Sequence, residues 1–183
     1  MRVKKLTLLF IAVLIVAPST PMFAQELSTS GGAPTRESIA QRCTYAQRYL
    51  NETLKPRDLK ARVDRLQAYR YIYQRLDVFA ARLERNNQQG AAEFRQSLDQ
   101  FAQKTEAFKK DYEQYDSTRD LAAKYENCQK RPDEFQEYVN ATRIARETVA
   151  KDVADIHTLL DVSVMSQLAD LHNILLQTGG NGS

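Results

Sequence analysis

Tryptophan is absent from this chain, and histidine, cysteine, glycine and proline are scarce: two, two, six and five in 183 residues. Each shortage closes off some chemistry. His157 and His172 stand 15 residues apart on one helical pattern, about 20 Å along its axis, so they cannot share a metal ion. The Glu-x-x-His pairs with which di-iron bundles project carboxylate and imidazole from one face are missing. So are a Gly-rich phosphate loop, a nucleophile elbow and a Cys-x-x-Cys pair. No catalytic, metal-binding or cofactor-binding residue is assigned, and the chain reads as a non-enzyme. With no long strand-like run and few glycines or prolines in its middle, the class is all-α.

What is present begins with an export pattern. Arg2, Lys4 and Lys5 precede a nearly continuous apolar run from Leu6 to Ala17, and Pro18 to Ala24 leads to a cleavage site after Ala24. Twelve residues, all but Thr7 apolar, reach about 18 Å, short of a hydrocarbon core of about 30 Å, so a cleaved signal at 1–24 is expected and an uncleaved anchor is the lesser alternative. The segment takes three of the 26 basic residues and none of the 23 acidic ones, leaving 23 of each. The basic pI therefore belongs to residues destined for removal, and a nucleic-acid partner is not expected. Gln25 to Thr35 is small and polar, a disordered leader; one bundle domain is expected over 36–177 and a flexible tail over 178–183.

Four helical patterns follow. Ile39, Cys43, Ala46, Leu50 and Leu54 make a stripe that Pro56 interrupts by removing a donor and crowding the preceding turn. From Leu59 a heptad frame runs through Leu66, Tyr73 and Ala80, flanked by Tyr69, Leu76 and Leu83. After a polar turn at Asn86–Gly90, Ala91, Phe94, Leu98, Phe101, Thr105, Phe108, Tyr112 and Tyr115 keep strict heptad spacing. Around Thr118 the phase is expected to slip before Leu121, Tyr125 and Cys128 resume the face. The last pattern, Pro132 to Gln177, advances only by threes and fours and would reach roughly 70 Å, the length of a rod.

The cysteines discriminate between topologies. Cys43 and Cys128 sit in a chain read as exported, where a disulfide is the expectation. If the chain reversed near Lys55, the two would be offset by about 25 Å, beyond the roughly 7 Å between alpha carbons that a disulfide allows. If the first helix continues past a kink at Pro56, Cys43 faces residue 135 and the offset falls to about 10 Å, which turn geometry can absorb. The expected fold is an elongated, coiled-coil-like antiparallel bundle of three long helices, the first broken at Pro56.

Two surfaces are candidates for interaction. Leu159, Val162, Met165, Ala169, Ile174 and Leu176 broaden the apolar side of the last helix, for core packing or for a partner or second copy. Residues 55–87 carry nine basic and four acidic side chains and 131–177 four basic and eight acidic, a contrast that suits neighbouring helices of one bundle. A basic face with Arg70 and Tyr71 could instead meet an anionic polymer or envelope surface. The segment Phe101–Asp111, FAQKTEAFKKD, resembles part of the helical arm of the Skp periplasmic chaperones, which implies a holdase for unfolded envelope proteins; that family also has strands, which are not read here. The expectation is an exported structural or protein-interaction module, periplasmic or extracellular, with a holdase or adaptor as the alternative.

Overall fold

The computed structural model describes residues 35–179, so the signal, most of the leader and the end of the tail lie outside the described residues. Thr35 caps the first helix by accepting from the Ser38 amide at 3.3 Å. Helix α1 (Arg36–Arg48) passes through a π turn, Tyr49–Leu54, into α2 (Lys55–Arg85). Helix α3 is Ala91–Ala123; α4 (Pro132–Thr158) passes through a second π turn, Leu159–Val164, into α5 (Met165–Gly179), two residues beyond the expected end at Gln177. The result is an all-α bundle of three long arms, with no strand among the described residues.

At Pro56 the first arm stays helical. The Lys55 amide reaches back five residues to the Leu50 carbonyl, so the turn ahead of the proline is widened. A proline needs this, because its ring collides with the carbonyl four residues back and it donates no hydrogen bond. The broken first helix is therefore a change of helix type. A second wide turn was not expected: the buried line of the third arm runs Val149, Ile156, Leu159, Val164, Leu171, with one step of five across Leu159–Val164.

Asn87 at φ 47° and Gly90 at φ 84° close the expected turn between α2 and α3. A Cβ on Gly90 would stand 3.3 Å from Leu171 of the third arm, which places that leucine level with the turn and leaves the last turns of α5 beyond it. The core runs the length of the bundle in four clusters. Toward the turn, Ala80, Leu83, Phe94, Leu98, Val164 and Leu171 pack together; in the middle, Tyr69, Phe101, Phe108, Tyr112, Tyr115, Val149 and Ile156 do. The rings meet edge to face, as their quadrupoles prefer, with Tyr69 5.9 Å from both Phe101 and Phe108.

At the opposite end, Cys43 and Cys128 form a disulfide with alpha carbons 5.8 Å apart, packed on Phe135. Cys43 thus faces the residue that a continuous first arm requires. Here α1 lies chiefly against α4, whereas α2 lies against α3. The phase slip near Thr118 does not occur: Tyr112, Tyr115, Arg119 and Ala122 continue the heptad line and are buried, and Leu121 is 55 % exposed. Likewise Leu59, a heptad position in the sequence, is 47 % exposed, while its neighbour Asp58 is buried. The charge of Asp58 and Arg119 made the sequence pattern seem to jump.

A bridge spanning 85 positions stabilises by about 4 to 5 kcal/mol in the chain-entropy model, as an upper figure. Reduction is expected to lower the melting temperature and to release protection in residues 36–54 first. Hydrogen exchange with and without reductant checks this, and equal protection of α1 in both would contradict it.

Candidate functional site

The buried line includes a polar layer where α2, α3 and α4 meet. Asp58, on α2, accepts a hydrogen bond from the Tyr115 hydroxyl of α3 at 2.6 Å and one from Arg146 Nε of α4 at 3.3 Å. Arg57 Nε closes on its other oxygen at 3.3 Å. One carboxylate thereby ties all three arms. A turn along α3, Arg119 is 2 % exposed, lies over the Tyr115 ring, and contacts Asp116 at 2.7 Å and Asp120 at 3.1 Å; Lys55 reaches Asp120 from the first arm at 3.0 Å. Burial, then the adjacent Asp58 carboxylate, push the Tyr115 hydroxyl well above its usual value, so it remains a donor. Arg119 Nε has no hydrogen-bond partner. The layer has the character of a structural lock, its cations and carboxylates offsetting one another across the three arms.

Neither Asp58 nor Arg119 belongs to the apolar patterns read from the sequence. The signal was there in spacing: Asp58, Tyr69 and Ala80 follow one another by eleven residues, three helical turns, and Arg119 falls seven after Tyr112.

The other predicted positions separate. Leu159 is 8 % exposed and belongs to the central core, because the second π turn rotates it inward; it is not part of an interaction surface. Val162, Met165 and Leu176 are 66 %, 58 % and 63 % exposed, and Ala169 is exposed as well. With His172, also exposed, Met165, Ala169 and Leu176 form a strip spaced by fours and threes along one side of α5. Ile174 is half-buried. Arg70 lines an open groove of about 340 Å³ between α2 and α3, with Leu66, Tyr69, Tyr73, Phe101 and Lys109. Tyr71 points elsewhere and is covered by Arg75, whose guanidinium carbon lies 5.2 Å from the ring centroid. Arg70 and Tyr71 therefore do not make one basic face. Tyr45 of α1 is 62 % exposed.

His157 and His172 are both exposed, and among the described residues no cluster of three His, Cys, Asp or Glu side chains could hold a metal ion. No helix among them is long and apolar enough to cross a membrane. Comparison with protein-family models, with curated proteins and with solved structures finds no match to this chain.

Two predictions come from these polar groups. Asp58→Ala removes the common acceptor and leaves the Tyr115 hydroxyl buried without one, while Arg146, 37 % exposed, keeps access to water; this is expected to destabilise by about 2 to 4 kcal/mol. Tyr115→Phe, which removes one charge-assisted bond, should cost about 1.5 to 3 kcal/mol; urea unfolding of both variants checks the order. Farther along, burial and then the facing Asp111 raise Asp152 above its usual value of 3.8, and Asp152 Oδ2 is buried without a partner. Because the folded value is the higher one, the native state bears a penalty at neutral pH that is relieved as pH falls through it and is gone below the unfolded value. Asp152→Asn is expected to raise the melting temperature near pH 7 and to give no such gain near about pH 3.5; equal shifts at both would contradict the assignment.

Proposed function

We propose that this chain is an exported, disulfide-stapled helical rod that serves as a non-enzymatic structural or interaction module of the cell envelope or extracellular space. The observation that carries the reading is the apolar strip Val162, Met165, Ala169 and Leu176. It lies on a helix whose other side is anchored in the core through Val164 and Leu171. Apolar side chains in such a row, held outward by a packed helix, suit docking through a helix face. The disulfide supports an oxidising destination, and the neutral balance of the chain after Ala24 agrees with an envelope module that does not need nucleic acid. Among the described residues, two open depressions near α3 are lined without a convergent set of catalytic groups.

The test places a photoreactive amino acid at Met165, and for comparison at the exposed Gln114, in the full-length chain expressed in its native cells. The expected outcome is a mature N-terminus at Gln25 and adducts that form at 165 and not at 114. A smear of many unfolded proteins, joined with suppression of client aggregation at stoichiometric ratios, would assign the holdase role. Absence of adducts at 165 together with retention in the cytoplasm would overturn the reading.

A further inference from the structure

The strip on α5 shares its side of the rod with a row of arginines, and together they specify what this face meets. On a wheel of about 100° per residue, one flank of α2 is turned to α3. It carries Arg62, which pairs with Glu113 and Asp116, and also Asp77 and Glu84, which hold Arg95. Tyr71, Arg75, Val78 and Arg82, spaced by four, three and four, fall on the other flank and are all exposed, Tyr71 and Val78 by 53 % and 55 %. Measured from the buried Tyr69, Ala80 and Leu83, that row points outward and leans to the side of the third arm. On the third arm, Arg146 marks the side turned to α2 through Asp58, while Lys104 of α3 reaches Asp155 on the side turned to α3. Measured from the buried line Val164 and Leu171, the row Met165, Ala169, His172 and Leu176 lies in the same sense as Arg146, toward α2 and outward.

The seam between the first and third arms is therefore bordered by arginines on one side and apolar side chains on the other. Lys55, Arg57, Lys60 and Arg62, nearer the stapled end, each have a carboxylate within 3.3 Å, whereas no ion pair involves Arg75 or Arg82 among the described residues. At the same height on the third arm, Asp161 is the only carboxylate at the edge of the strip, since Asp170 turns to the far flank.

We infer that this face lies on an anionic lipid surface. The side chains of Val162, Met165, Leu176 and Val78 enter the boundary between headgroups and acyl chains, and Arg75 and Arg82 contact lipid phosphates. The inference rests on the exported interaction-module reading and names the partner of the same strip.

The test uses the purified chain from Gln25 onward with its disulfide intact, in sedimentation with vesicles of phosphatidylcholine alone and with about 30 mol per cent phosphatidylglycerol. Binding is expected to the anionic vesicles only and to weaken with added salt. The double variant R75E/R82E should bind at least about thirtyfold less tightly, and M165E should also lose binding. R70E, a reversal on the α3 flank, should retain it. All four positions are exposed, so an unchanged melting curve separates lost binding from lost folding. Failure to sediment, equal binding by R75E/R82E, or a salt-sensitive dimer in light scattering that uses these arginines would overturn the inference. Protein adducts at Met165 without vesicle binding would overturn it as well while leaving the interaction-module reading in place.

Discussion

A bundle only three helices across has a core one side chain wide, and in this protein that width is filled from the middle arm. Phe94, Leu98, Phe101, Phe108, Tyr112 and Tyr115 of α3 are essentially inaccessible, and the two outer arms contribute what closes around them. Packing is decided locally under this constraint: each ring is sealed by neighbours one turn above and below, and there is no deep interior to absorb a misfit. It also explains why a charged residue can enter the line. Asp58 is tolerated because the middle and third arms bring Tyr115 and Arg146 to it, and Arg119 because Asp116 and Asp120 of its own helix flank it.

The two π turns answer the same constraint. A long helix drifts in phase relative to a seven-residue repeat, and three arms of unequal rhythm cannot stay in register over the length of a rod. Inserting one residue in a wide turn resets the face by about a quarter circle. In the first arm the reset coincides with Pro56. In the third it brings Leu159 and Val164 inward together, and it leaves Met165 and Ala169 facing solvent.

Much of the fold was legible because its signals are additive along the chain. The heptads from Ala91 to Tyr115, the turn chemistry of Asn86 to Gly90, and the requirement that Cys43 and Cys128 lie close are each local patterns or simple lengths, and together they specify three antiparallel arms with a continuous first one. The surface was less legible. Hydrophobicity alone cannot separate Leu159 from Val162, three residues on, because a single wide turn decides which of them the core takes. Nor can adjacency say that Arg70 and Tyr71 part company, one to the groove beside α3 and the other to the opposite flank. Asp58 and Arg119 were hidden for a further reason: a buried charge is recognisable only from its partners, and those come from arms 57 and 88 positions away for Asp58.

The covalent staple sits beside the start of the first arm, and the third arm finishes at the other extremity, past the turn that joins the first two. A load applied between these termini therefore runs along the axis and drags the arms past one another, so that many side-chain contacts must slide at once instead of opening one by one like a zipper. At the stapled end the sulfur bond takes the strain; at the other, only apolar contacts resist. The molecule is in this sense a strut with one welded joint and one friction joint, stiff in tension from the first and able to peel from the second.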